Sequence, residues 1–500
     1  MQNEHEKSAL DRRFFLGASA STLGALTTFG LPGIALAQQQ PAGAAKAAEA
    51  KKLTQVIAEY VAGFEFKNTP AEALKQSRIG FIDTLGVMLA GSREEVAHIV
   101  LDMVKAEGTT PAATIVGQSL RATPQLAALA NGAAAHAMDY DLSYLSGQTV
   151  SGLIPAILPL AETTGATPAE CIAAHIIGCE VAGRIWRASP DLSNLGGWHT
   201  TGVIGTIAAA AACARLLKLP ADKIANAVGL GVSLASGVAA NYGTMTKPLH
   251  SGNAARNGVM SALLASRGFT SGEAAFEAST GFYNTFGRGL TASFEPFKDF
   301  GRRYDIVELG FRIKAYPCGG RGHPAIEAAL AFREKHGNRI ADITNIHCTV
   351  TRSTAQRVGT EWPKDVEAAK FSVSYVAAYS LVHGAPRIPA FTEAALRDER
   401  VKAVAKLVTA GVDPEFKDGL EGSPVKMKIT LKDGTVFEER RDTATGSKSM
   451  PMSQAQLEEK FLDCATQTLK VDTARKILAA LNALPGQASF SDFWPLLRPA

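Results

Sequence analysis

The stretch GTIAAAAACARLLKL (residues 205–219), followed closely by NAVGLGVSLASGVAAN (226–241), decides the fold class. Alanine and glycine dominate both runs, and side chains this small let helix backbones touch where they cross. The same helical pattern extends from Leu53 to about Thr280. Ile79, Ile82, Leu85, Met88 and Leu89 recur at helical spacing, as do Val96, Ile99, Val100 and Met103. Helix-start signals precede successive segments at Thr69-Pro70, Thr123-Pro124, Thr167-Pro168 and Leu219-Pro220. Aromatic residues make up only 7%, which suits closely packed helices better than a β-sandwich.

The pattern changes near residue 310. FRIKAY (311–316) reads as a short strand, HPAIEAALAFREKHG (323–337) as a helix and DITNIHCTVT (342–351) as a strand. In PVKMKITLKDGTVFEERR (424–441), Val425, Met427, Ile429 and Leu431 alternate with polar residues before Asp433-Gly434 turns the chain, which describes a hairpin. Helical periodicity returns after Met450 in QLEEKFLDCA and TARKILAALNAL. The expected fold is mainly α: a large all-helical domain built from residues 52–309 and 451–500, interrupted by a smaller α/β lid domain, 310–450. A cleft between two such parts is a common ligand site.

Five hundred residues exceed one ordinary core. With 46% hydrophobic and 20% charged residues the chain reads as a soluble globular protein. A net charge of +4, evenly spread and without a basic stripe, argues against nucleic acid as a partner. None of the six cysteines forms a CxxC, so no zinc or iron–sulfur spacing is present. Cys171 and Cys179 fall about 12 Å apart along a helix, too far to bridge. The cysteines read as buried thiols. No GxGxxG opens a strand–helix unit, and no flavin or haem pattern appears, so no cofactor and no metal is expected.

Residues 8–37, SALDRRFFLGASASTLGALTTFGLPGIALA, carry Arg12-Arg13, then a mildly apolar stretch ending Ala35-Leu36-Ala37. This resembles a twin-arginine signal peptide over residues 1–37 with a small-residue cleavage site. It predicts transient use of the twin-arginine export machinery and a periplasmic mature protein. The stretch holds too many Gly, Ser and Thr for a stable membrane anchor. Residues 38–51 read as a flexible tail.

Polar clusters fall at the junctions between the small-residue helices. GTMTKPLHSGNAARNGV (243–259) sets Lys247, His250 and Arg256 among small neighbours at a helix start, an arrangement suited to a small anion. NGAAAHAMDYDLSYLSGQTVSG (131–152) holds His136, Asp139, Asp141 and Ser143. GGWHTTG holds His199 ahead of a helix. RIKAYPCGGRGHPAIEAA (312–329) offers Lys314, Cys318, Arg321 and His323, and KFSVSYVAA (370–378) offers Tyr375. Each has a plain structural alternative. His136 reads as a satisfied core histidine, Tyr375 as a core residue, and Lys247 alone as a solvated charge.

Taken as a set and in this order, NGAAAHAMDYD, GTMTKPLHSGNAARNGVMSALLASRGFTSG, KAYPCGGRGHPAIEAAL, KFSVSY and PMSQAQLEEKF resemble the blocks of the MmgE/PrpD family. That family includes 2-methylcitrate dehydratase, cis-aconitate decarboxylase and an iminodisuccinate epimerase. The resemblance covers nearly everything after the leader. It implies a homodimer with a metal-free site for a di- or tricarboxylate between the helical domain and the lid. Carried over by motif, Asp139, His199, Lys247, Lys314 and Tyr375 are the catalytic candidates, with Ser143, His250 and His323 binding substrate. Removing a proton beside a carboxylate creates an enolate-like dianion, and without a metal lysines must hold that charge. A histidine or carboxylate moves the proton.

The chain departs from the family at three places. Thr149 stands where relatives often have a catalytic histidine, and Leu142 where they have an aspartate. Gly319 and Gly320 follow Cys318, where the decarboxylase places another histidine. The leading expectation is a metal-independent lyase most like 2-methylcitrate dehydratase, with His199 moving the proton. An isomerase, epimerase or decarboxylase of a related carboxylate is the alternative, and a periplasmic carboxylate-binding protein without catalysis is the third.

Overall fold

Two helices cross with no side chains between them at the centre of the protein. The computed structural model describes residues 51–192, 197–419 and 422–499; the expected signal peptide and nearly all of the tail after it lie outside these. Among the described residues the longer helices are α1 (Leu53–Gly63), α2 (Ala71–Gly91), α3 (Glu95–Glu107), α4 (Pro124–Ala137), α5 (Val150–Thr164) and α6 (Pro168–Ala188). Then follow α7 (Thr200–Leu216), α8 (Ala221–Leu234), α9 (Thr246–Ser266), α10 (His323–His336), α11 (Val373–His383), α12 (Gln454–Ala465) and α13 (Val471–Asn482). The fold is mainly α with a small α/β part, as the periodicity predicts.

The proline signals mark true starts. Pro124 and Pro168 are the first residues of α4 and α6, and Thr167 with Glu170 completes a reciprocal cap that satisfies two backbone N–H groups. α9 runs through the middle, against α4, α5, α7 and α8. A Cβ on Gly252 would lie 2.5 Å from the Leu129 carbonyl oxygen, and one on Gly132 2.8 Å from the Gly252 Cα. α9 meets α7 in the same way: a Cβ on Gly258 would lie 2.3 Å from the Ala209 Cβ.

The C-terminal helices return to this body. α12 lies on α2 and places Lys460, which is buried, against Asp83 at 2.6 Å and the Tyr140 carbonyl at 2.8 Å. The second oxygen of Asp83 accepts the Leu142 N–H at 2.8 Å. One buried ion pair therefore holds the loop after α4 from both sides. Apolar residues of 53–313 and 457–497 form a single core, and a second core is drawn from 325–437 alone.

The second core sits on a four-stranded sheet ordered β4-β3-β5-β6, where β3 is Ile343–Val350, β4 Val408–Val412, β5 Val425–Leu431 and β6 Val436–Arg441. A two-residue ladder, β1 (Ala113–Thr114) with β2 (Arg121–Ala122), precedes it in the chain. The hairpin forms as expected, with Val425, Met427, Ile429 and Leu431 all buried. FRIKAY does not form a sheet strand. It makes one isolated bridge, Arg312 to Ser143, because its backbone pairs with the loop after α4 and with Gly446 instead of a neighbouring strand. Parallel β4, at the sheet edge, has no counterpart in the expected elements.

All six cysteines are buried and unpaired, as their spacing implies. Among the described residues no helix is long and apolar enough to cross a membrane.

Alanine is a better helix former than glycine by about 1 kcal/mol, yet at Gly252 its methyl would meet backbone that no rotamer change can move. Gly252→Ala is expected to lower the unfolding free energy by about 2 kcal/mol or more. Gly63→Ala, where nothing lies within 4 Å, is expected to be neutral or mildly stabilising. Chemical denaturation of the two variants checks this.

Candidate active site

Because α4 and α9 touch at their glycines, the loop leaving α4 meets the first turn of α9. Asp139 lies in that loop with φ 50°, the left-handed region that a non-glycine residue enters at some cost. Its carboxylate is buried and shared by two lysines. Lys247 Nζ lies 2.5 Å from Oδ1 and Lys314 Nζ 2.9 Å from Oδ2. Lys314 also donates to the Asp139 carbonyl at 2.6 Å. Burial raises the Asp139 pKa, but the two lysines and His136 outweigh it and hold the group well below the usual carboxylate range. Burial pushes Lys314 down, against the pull of Asp139 and Asp141.

Histidines line the next layer. His199 precedes α7, and its Nδ1 is 3.1 Å from Nδ1 of His250 on α9, so one of the two donates and the other accepts. Burial, with His136, Lys247 and His250 nearby, drives His199 well below its ordinary pKa, and burial brings His250 to about 4. Both are neutral near pH 7. The ring of His136 stacks on that of His199 at 5.6 Å. His136 Nδ1 lies 3.0 Å from both oxygens of Asp141.

The α/β part supplies the other wall. Phe371 places its ring 5.6 Å from Lys247 Nζ, and the buried Lys370 pairs with Glu367 and donates to the Ala137 carbonyl at 3.2 Å. Arg312 exchanges backbone hydrogen bonds with Ser143, and its guanidinium lies 3.4 Å from Ser143 Oγ. Among the described residues no carboxylate lies within ion-pair distance of Arg312, and its buried Nε has no hydrogen-bond partner. Burial, with Arg321 nearby, lowers its pKa to about 10. Lys247, Lys314 and Arg312 thus outnumber Asp139 and Asp141, and the site carries surplus positive charge.

Of the residues singled out from sequence, Asp139, Lys247, Lys314, His199 and His250 converge. Ser143 is at the edge, beside Arg312. His323, at the start of α10, faces the Cys318 carbonyl at 3.3 Å and is pushed down to about 3 by burial and by Lys314 and Arg312. Tyr375 lies apart: its hydroxyl donates to the Ala390 carbonyl, and it packs among Trp362, Tyr379 and Phe391. Arg312 and Lys370 were not singled out. Both stand inside blocks that were, two residues before Lys314 and at the head of KFSVSY, but a surface cation has the same signature in sequence.

His136, Asp139 and Asp141 are also the one group among the described residues whose donor atoms, all within 4.8 Å of one another, could hold a metal ion. A cation there would have to displace both ammonium groups from Asp139 and the imidazole from Asp141.

The chain matches the MmgE/PrpD N-terminal domain over residues 55–295 and the MmgE/PrpD C-terminal domain over 316–485. It belongs to the MmgE/PrpD family. Among its relatives in that family, the cis-aconitate decarboxylase of Homo sapiens is 28% identical over 459 residues, which span 90% of this chain and 95% of the relative. The cis-aconitate decarboxylase of Aspergillus terreus is 27% identical over 478 residues, 89% and 95% of the two chains. The gap between the two matches, residues 296–315, contains Lys314.

Asp139→Asn would leave two buried ammonium groups with one acceptor fewer and without their shared counter-charge, and is expected to cost about 3–5 kcal/mol of stability. The folded pKa of Asp139 lies below the unfolded value of about 3.9, so its contribution is full above that value and is lost as pH falls through the folded one. The stability gap between variant and unsubstituted protein is expected to stay flat from pH 8 to 5 and to narrow below pH 4, measured by denaturant titration at each pH.

Proposed function

We propose that this protein is a lyase acting on a small polycarboxylate, breaking a bond beside a carboxylate through an enolate-like dianion. The observation that carries the reading is the buried pair Lys247 and Lys314, converging on one carboxylate in a site with surplus positive charge. A substrate carboxylate entering beside Asp139 meets the same two ammonium groups, and they stabilise charge best where water is excluded. Arg312, with no carboxylate partner among the described residues, suits a further carboxylate and hence a tricarboxylate.

Relatives named cis-aconitate decarboxylase favour loss of carbon dioxide from an unsaturated tricarboxylate. In that reaction the C–C bond to the departing carboxylate breaks. The electron pair passes into the neighbouring carboxylate under the lysines, and the carbon is then protonated. His199, hydrogen-bonded to His250, is the first candidate for that proton.

A second reading, elimination of water as from 2-methylcitrate or proton exchange without loss, is favoured by the segment after Cys318. A side chain at Gly320 would begin 2.9 Å from the Arg312 guanidinium, and one at Gly319 3.0 Å from Phe371. A histidine at either position, where the resemblance puts one in the decarboxylase, would have to shift the Arg312 guanidinium or press on the Phe371 ring.

The protein, purified without residues 1–37, is to be followed by NMR in deuterated water with cis-aconitate, citrate, 2-methylcitrate and iminodisuccinate. Loss of carbon dioxide or water from one of them is the expected result. Lys247→Met is expected to reduce kcat/KM at least about 1000-fold. Deuterium entry with no net loss would make it an epimerase, and binding without either would make it a carboxylate-binding protein.

Arg12-Arg13 and Ala35-Leu36-Ala37 support export and cleavage, and the family resemblance supports a homodimer. Fractionation is expected to place a chain beginning near Gln38 in the periplasm, with the mass of a dimer by light scattering. A full-length chain in the cytoplasm would overturn the first expectation and a monomer the second.

A further inference from the structure

We infer that His136, and not only His199, moves the substrate proton, with its Nε2 as the atom that takes the proton from carbon and returns it. The inference rests on the polycarboxylate reading above. Asp141 is a carboxylate held below its ordinary pKa, against burial, by His136, so it only accepts. Both of its oxygens face Nδ1 at 3.0 Å, which puts the imidazole hydrogen on Nδ1 and leaves Nε2 with a lone pair.

That lone pair has no partner. Nε2 is buried and accepts no hydrogen bond among the described residues. An unpaired buried acceptor costs on the order of 1–3 kcal/mol, and a core histidine ordinarily avoids that cost. Burial lowers the His136 pKa against the pull of Asp141, so near neutral pH the ring is a base.

The ring belongs to the cluster around Asp139. The ring stacks on His199, and one of its nitrogens lies within 4.8 Å of a carboxylate oxygen of Asp139, the group that marks the lysine pair. Thr149, standing in a place that relatives fill with histidine, is buried with its hydroxyl unpartnered and cannot titrate near neutral pH. In the step inferred, the substrate C–H bond breaks and an N–H bond forms at Nε2. The electron pair passes into the adjacent carboxylate beside Lys247 and Lys314, and Asp141 stabilises the imidazolium. Return of the proton from Nε2 to carbon, or its delivery to the departing β-hydroxyl to give water, restores the neutral imidazole and completes the reaction.

The test compares unsubstituted protein with His136→Gln and Asp141→Asn, reading deuterium incorporation by NMR and binding by thermal shift with citrate and cis-aconitate. Asparagine at 141 keeps the shape but donates to Nδ1, moving the imidazole hydrogen to Nε2 and removing the base. Both variants are expected to lose at least 100-fold in deuterium incorporation while keeping the ligand-induced thermal shift. In 15N-histidine-labelled protein, the Nε2 signal of His136 is expected to lie in the unprotonated range and to move when citrate saturates the site. Retained incorporation in both variants, or an Nε2 signal indifferent to bound citrate, overturns the inference and leaves the lyase reading intact. No binding of any acid by the unsubstituted protein overturns the lyase reading and this one with it.

Discussion

At Gly132 and Gly252 the backbones of α4 and α9 are in contact, and any side chain there would drive them apart. That distance governs the site. α4 ends one residue after His136, and the chain then turns left-handed at Asp139, whose carboxylate meets Lys247 in the first turn of α9. Were the helices to cross at an ordinary 8–10 Å on larger side chains, the Lys247 ammonium and the Asp139 carboxylate would not meet. The run of alanines and glycines is therefore a condition for the charge cluster, beyond being a packing preference. Asp83 and Lys460 secure the same loop from the opposite side, so two distant parts of the chain share in placing one aspartate.

The electrostatics of the cluster point one way. Three cations lie near Asp139 and Asp141, the histidines around them are kept neutral by burial, and among the described residues Arg312 has no carboxylate to face. Charges buried without full compensation cost stability, and a bound polyanion removes that cost. Neutral histidines matter for the same reason. Protonated, they would add to an already positive site, so burial and Lys247 keep the imidazoles unprotonated while the imidazoles leave the lysines as the principal cations for an incoming carboxylate.

The helices and the hairpin were legible because they rest on local patterns: apolar spacing, Thr-Pro starts, and alternation ending in Asp433-Gly434. FRIKAY misled because an apolar–basic alternation of six residues describes any extended segment. Only the tertiary structure shows that its backbone partners are Ser143 and Gly446. Lys247, Lys314 and Asp139 were legible through family blocks, since nothing local to any one of them announces that they meet. Tyr375 belongs to the same block as Lys370, yet it is Lys370 that reaches the α4 end while the tyrosine hydroxyl is taken by Ala390. His136 read as an ordinary core histidine because sequence cannot show that one ring nitrogen is satisfied and the other is not.

The departures from the family pattern form a consistent set once placed in space. The Arg312 guanidinium lies against Gly320, where a Cβ would come within 2.9 Å of it, and it is a group that holds charge without moving protons. Thr149, where the resemblance expects a histidine, carries no group that titrates near neutral pH. On the proposed reading the site grips carboxylates strongly and has fewer acid–base groups. On the proposed reading, proton transfer falls to the imidazoles in the cluster: His199 with its partner His250, and His136 with Asp141 behind it. The lysine pair is common to every reaction considered for this site, so substrate choice turns on Arg312 and reaction type on which imidazole reaches the carbon.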